Sequence, residues 1–264
     1  LLADGRRVFV KAVGLARNPD SPGMYRREGE VLAALPESVP APRLLASYDD
    51  GDWVALVIED VDGRTPDEPW RSDQLDQVLD ALTVLAGQLD PSPIVAPPIT
   101  DMLAGAFTGW RTLAGDPTAA ARLDPPVRGR LDRLAELERG WADAAAGTSL
   151  LHADLRADNI LLTADRMVFV DWPHACVGAG WLDLLLMLPS VAMRGGVPVE
   201  LAWRRYAPAR AAPDEAVDAV LTAFAGFLFR GSLLPAPRNI PRVRDFQLAQ
   251  GRATLDWLAA RRRW

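Results

Sequence analysis

In the stretch HADLRADNILL, residues 152 to 162, a histidine stands two residues before an aspartate and seven before an asparagine. A further aspartate, Asp171, closes the following run MVFVDW. Polar residues ahead of an apolar run that turns and returns lie at the mouth of a β-hairpin. From there Asp154 can orient an acceptor hydroxyl and take its proton, while Asn159 and Asp171 offer hard oxygen ligands to Mg²⁺. Lys11, the single lysine among 29 basic residues, sits in the strand-like run VFVKAV, where a solvated charge is not placed by default. These parts suit transfer of the γ-phosphoryl group of ATP. That reaction needs a metal on the phosphate oxygens, a cation on the other phosphates and a carboxylate for the acceptor. A lysine that must point reliably needs an acidic partner. The following helix offers Glu28 and Glu30, of which Glu28, two turns before the apolar Leu35, is favoured.

The elements that would hold these residues fall into two groups. LLADGRRVFVKAV reads as strand, a tight turn at Asp4-Gly5, and a second strand. GMYRREGEVLAALP reads as a short helix stopped by Pro36, and two strands follow around an Asp-Gly turn, up to Asp62-Gly63. Counting one strand missing upstream, a first lobe of five strands and one helix is expected. From Gly63 onward the pattern is helical. Ser72 can cap a helix whose Leu75, Val78, Leu79, Leu82, Leu85 and Leu89 form one face. A Pro-rich break precedes one helix over VRGRLDRLAELERGWADAAAG, and after the hairpin the chain is helical to its end. The expected division is a nucleotide-binding lobe over 1–61 and a catalytic, acceptor-binding lobe over 62–264.

An apolar fraction of 49% with 24% charged residues excludes disorder. A single cysteine, Cys176, cannot form an intramolecular disulfide and reads as a buried small hydrophobe. Neither a signal peptide nor a membrane-spanning run is visible, so a reducing cytoplasm is expected. The tryptophans at 53, 70, 110, 141, 181, 203 and 257 are expected in packing roles, and His174 in a local structural one. Arg156 either touches the γ-phosphate or pairs with an acid such as Asp158.

HADLRADNILL resembles the His-x-Asp-x-x-x-x-Asn catalytic loop of the aminoglycoside phosphotransferases and choline-kinase-like small-molecule kinases, relatives of the protein kinases. VFVDWPHACVGAGWLDLL resembles their Asp-Trp metal motif with its later Asp-Leu pair. The resemblance runs to about Leu188 and implies an α+β, bilobal protein-kinase-like fold. By it, Asp154 is the catalytic aspartate, Asn159 and Asp171 bind Mg²⁺, Lys11 contacts ATP and Glu28 orients Lys11. His152 and Asp183 then support the catalytic loop. LVIEDVDG resembles the hinge, with backbone groups of Glu59 and Val61 pairing with adenine. Two departures stand out. No glycine-rich loop precedes Lys11, for which loss of an upstream segment is the expected reason, and only eleven residues separate Asp171 from Asp183. That interval is too short for a peptide-binding activation segment, so a small molecule is the expected acceptor.

Charge bears on which one. Residues 191 to 264 carry 12 arginines against 6 acids, although the whole chain is −6. An aminoglycoside polycation needs a carboxylate-lined cleft, so a neutral or anionic hydroxyl compound is expected, with Asp214, Glu215 and Asp218 as the acids that could locally reverse this. The other readings are an aminoglycoside O-phosphotransferase conferring resistance and a nucleotide-binding pseudokinase acting as an interaction module. Partners are expected to be the small acceptor alone, without nucleic acid or membrane, on a monomer or homodimer. A pI near 5 and the lack of a reading motif argue against nucleic acid.

Overall fold

The computed structural model describes Gly5 and residues 7–195, 197–237 and 240–264. The strand expected at the first residues, and Asp4 of its turn, lie outside them. Three strands make the first sheet: β1 (Val8–Gly14), β2 (Leu44–Asp49) and β3 (Trp53–Glu59), in the antiparallel order β1-β3-β2. The expected Asp-Gly turn joins β2 to β3. Asp50 Oδ1 accepts from the Asp52 and Trp53 amides, and Gly51 takes the positive φ of 93° that other residues avoid. On β3 the alternation is clean: Val54, Leu56 and Ile58 are buried, and the helix α1 (Ser21–Ala34) covers that face. Gly29 lets the helix approach, since a Cβ there would stand 2.9 Å from Leu56 Cδ2. The other face is open, and Trp53, expected in packing, is 52% exposed.

Past Gly63 helices dominate. Helix α2 (Ser72–Gln88) buries Leu75, Val78, Leu79, Leu82 and Leu85, with Leu89 just beyond its end. Ser72 is its first residue rather than its cap; Arg71 holds the cap position and no side chain bonds there. Short helices α3 (Ile99–Leu103), α4 (Gly109–Ala114) and α5 (Pro117–Ala120) follow. The single helix expected next is three: α6 (Pro125–Arg128), α7 (Leu131–Glu138) and α8 (Trp141–Ala145). Gly129 and Gly140 stand at the two breaks, where low helix propensity lets the chain turn. Then come α9 (Leu182–Arg194), α10 (Val199–Arg205), α11 (Asp214–Ser232) and α12 (Val243–Arg262). One apolar core runs from Leu56 and Ile58 of the sheet through these helices, and Trp70, Trp110, Trp141, Trp181, Trp203 and Trp257 are buried.

Between α8 and α9 lie two small antiparallel pairs. Strand β4 (Ser149–Leu151), not anticipated from the sequence, pairs with β7 (Cys176–Gly178). The expected hairpin is β5 (Ile160–Leu162) with β6 (Met167–Phe169). The hairpin is tied to the earlier chain on both strands: Arg64 and Leu162 exchange backbone bonds at 2.8 and 3.0 Å, and the Phe169 amide donates to Pro40 O. Among the described residues no helix is long and apolar enough to cross a membrane.

Candidate active site

The loop from His152 to Asn159 is held from beneath by Asp183 at the start of α9. Its carboxylate accepts from the amides of His152 (2.9 Å) and Ala153 (2.8 Å). Burial raises the Asp183 pKa to about 6 against those two bonds. Buried His152 lies against Trp172, ring centroids 4.7 Å apart, and its Nε2 meets Val170 O at 2.9 Å. Desolvation lowers the imidazole to about 4, so it is neutral near pH 7 and acts on loop shape. Ala153 has φ +62°, a conformation costly for alanine and held by these bonds. This turns the next residue, Asp154, outward.

Asp154 stays partly exposed, and desolvation raises its pKa, partly offset by Arg156. Asn159 Nδ2 donates to the Asp154 carbonyl at 2.7 Å, which leaves Oδ1 as its free hard ligand. Asp171 follows β6 at φ +70° and faces the same opening. Lys11 reaches it from β1: Nζ lies 2.5 Å from Asp171 Oδ1 and 2.8 Å from both carboxylate oxygens of Glu28. Glu28 is fully buried, whereas Glu30 is exposed. Desolvation raises Glu28 against the pull of Lys11. For Lys11 desolvation acts downward, but the bonds to Asp171 and Glu28 outweigh it and the net shift is upward.

A cavity of about 560 Å³ opens over this cluster, bounded by Lys11, Tyr25, Val61, Asn159 and Asp171 among others. At its rim the Glu59 amide is already given to Arg43 O, so only its carbonyl could face a ligand. Val61 forms no backbone hydrogen bond among the described residues. Arg156 bonds to Asp158 at 2.9 and 3.1 Å, the expected salt bridge, and lies 4.0 Å from Asp154 Oδ1. Among the described residues no three acidic, histidine or cysteine side chains form a metal cage. The Asn159 and Asp171 oxygens still fit Mg²⁺, which takes one or two protein ligands and completes its shell with phosphates and water. Cys176 is buried, its thiol pushed up to about 12 by desolvation, and inert.

A second cavity, of about 300 Å³, adjoins Asp154 on its other side, between the loop and α11–α12. His174, expected to be only structural, lines it, as do Phe224, Phe227 and Phe246, none of which sequence reasoning singled out. The spacing of Phe224 and Phe227, one helical turn apart, was the available signal. The acids that could have reversed the expectation of a neutral or anionic acceptor do not line this cavity: Asp214 and Asp218 are bound by Arg261 and Arg262 elsewhere, and Glu215 is exposed.

Comparison with known proteins gives a consistent picture. An apo thermostable mutant of aminoglycoside phosphotransferase APH(4)-Ia is similar at TM-score 0.62 and 14% identity, covering 99% of this chain and 88% of that one. The aminoglycoside phosphotransferase from Alicyclobacillus acidocaldarius subsp. acidocaldarius DSM 446 is similar at 0.59 and 17%, covering 99% and 87%. The putative fructosamine-3-kinase from Haemophilus somnus 129PT is similar at 0.56 and 14%, covering 98% and 84%. At these identities the likeness is one of fold, the α+β protein-kinase-like fold implied by the sequence motifs. No curated protein matches the sequence. The model of the phosphotransferase enzyme family matches residues 2–216, and the chain belongs to that family.

Proposed function

We propose that this protein is an ATP- and Mg²⁺-dependent small-molecule kinase. It would move the γ-phosphoryl group to a hydroxyl of a neutral or anionic acceptor. The observation that carries the reading is that Lys11, braced by buried Glu28, meets Asp171 at one mouth, while Asp154, beside Asn159 of that mouth, lines a second cavity. Residues 1–61 would form the nucleotide-binding lobe and 62–264 the catalytic lobe, with the Val61 backbone at the adenine edge. Related folds support the nucleotide: APH(4)-Ia mutants are described as ternary complexes with ADP or AMP-PNP and hygromycin B, and an amicoumacin kinase as a complex with AMP-PNP, Ca²⁺ and Ami.

Glu28 fixes the direction of Lys11, and Lys11 holds phosphate oxygens by charge. Asn159 Oδ1 and the Asp171 carboxylate would hold Mg²⁺, whose charge stabilises the phosphate oxygens. Asp154 orients the acceptor hydroxyl and accepts its proton as the oxygen–phosphorus bond forms and the bond to the ADP oxygen breaks. His152 and Asp183 hold the loop and exchange no proton with substrate. The relatives' names point to aminoglycosides, but among the described residues the second cavity offers a polycation no carboxylate besides Asp154.

The test is a screen of hydroxyl-bearing metabolites for Mg²⁺-dependent ADP release, with Asp154→Ala as control. The variant should keep the thermal shift given by Mg²⁺-ATP and lose turnover by ~10²–10⁴-fold. An active Asp154→Ala variant overturns the assignment. A wild-type protein that binds Mg²⁺-ATP but transfers to no hydroxyl indicates the pseudokinase instead.

A further inference from the structure

We propose that the acceptor is an uncharged hydroxyl compound with an apolar, ring-bearing body, seated in the 300 Å³ cavity beside Asp154; this rests on the phosphotransfer reading above and specifies its second substrate. Three features of the cavity carry the inference.

Its wall is aromatic and aliphatic. Phe224 and Phe227 project from one turn of α11 with nearly parallel rings, 16° apart and 6.4 Å between centroids, and Phe246 faces them from α12. All three are half-buried, so part of each ring is left for a ligand. Leu103, Leu186 and Leu228 are among the residues that extend the apolar lining. Flat apolar surface of this kind binds rings through area and stacking together.

The electrostatics reject cations. Asp154 is the one carboxylate lining the cavity among the described residues, and Arg156 lies 4.0 Å from its Oδ1. Among the described residues the neighbouring groove of about 530 Å³ contributes no free acid. Its Glu68 is paired with Arg194 at 3.4 Å and its Asp158 with Arg156 at 2.9 Å, and Arg242 adds positive charge. An aminoglycoside would bring several ammonium groups here without carboxylate partners.

The third feature is Gln250. Only 5% of it is exposed, it lines the cavity, and its side-chain amide makes no hydrogen bond among the described residues. Its nitrogen and oxygen are not among the fully buried atoms that lack a partner, so they meet the cavity and are available to a polar substituent on the bound molecule. Apolar wall, single carboxylate and few hydrogen-bonding side chains together describe a compact aromatic alcohol better than a sugar or a polyamine.

The test is calorimetry without nucleotide, titrating tyrosol and phenethyl alcohol against inositol and kanamycin, followed by ADP release with each. The aromatic alcohols should bind and turn over, inositol and kanamycin should do neither, and Phe227→Ala should weaken the alcohols about tenfold, as loss of a ring contact implies. Phe246→Ala, on a different helix, should do the same, and both variants should keep the wild-type Mg²⁺-ATP thermal shift. Tighter binding of kanamycin or inositol, or full affinity in both variants, overturns the acceptor class. No heat from the aromatic alcohols beside a normal Mg²⁺-ATP shift overturns the acceptor class alone, whereas absence of that shift in the wild type overturns the phosphotransfer reading.

Discussion

Lys11 Nζ stands 2.5 Å from Asp171 Oδ1 across 160 residues of sequence, while the same ammonium spans both carboxylate oxygens of Glu28 at 2.8 Å. The fully buried Glu28 has Lys11 as its charged partner, so the lysine carries structural as well as electrostatic weight.

Lys11→Met should therefore cost about 3–5 kcal/mol, the usual consequence of stranding one member of a buried pair. Burial already raises the Glu28 pKa, and without Lys11 it rises further. A folded state that holds its proton more tightly than the unfolded chain gains stability as pH falls. Urea melts of the variant should show partial recovery below neutral pH, and a pH-independent loss would contradict the pairing.

His152 and Asp183 should give opposing pH dependences. His152 is lowered from 6.5 to about 4, so between those values the unfolded chain binds the extra proton and stability rises with pH. Asp183 is raised from 3.8 to about 6, so there the folded chain binds it and stability falls with rising pH. The two largely offset each other in the wild type. Asp183→Asn removes the falling contribution, and its denaturation free energy should climb by about 3 kcal/mol from pH 4 to 7. A flat profile in the variant would show that His152 is not neutral and buried.

The acid limb of turnover should report Asp154. Desolvation holds this carboxyl above the ordinary aspartate range, and only its ionised form can take the hydroxyl proton. Activity should fall with decreasing pH at a higher value than an unperturbed aspartate would set. A limb at the ordinary aspartate value would remove Asp154 from the proton-accepting role.

Gly109 sets the crossing of α4 on α11, the helix that presents Phe224 and Phe227. A Cβ there would lie 2.0 Å from the Gly226 carbonyl oxygen, a backbone atom that cannot swing aside. Gly109→Ala should lower stability by at least the ~1–3 kcal/mol typical of overpacking. Gly87→Ala, in α2 with nothing within 4 Å, should instead add about 0.4–1 kcal/mol. Thermal melts of the pair separate steric crowding from helix propensity.

Much of the fold was legible because its signals are local. The alternation in β3, the Asp-Gly turn before it and the apolar face of α2 each depend on neighbours within a turn or a strand. The errors also have local causes. Gly129 and Gly140 break what periodicity alone joins, and β4 is too short, at three residues, to show a pattern before its partner β7 is known.

By itself the sequence singled out the residues that the structure brings together at the candidate site. Lys11 is conspicuous as a lone lysine in an apolar strand, and His152, Asp154 and Asn159 by fixed spacing ahead of a hairpin. The sequence favoured Glu28 over Glu30 for Lys11, and the packing bears that out; only the tertiary structure decided that Arg156 turns to Asp158, that Asp214 and Asp218 are consumed by Arg261 and Arg262, and that phenylalanines from two helices wall the cavity beside Asp154. Spacing along a chain fixes which side chains share a face of one element. Which faces meet depends on how whole elements pack, and that is a property of the assembled core.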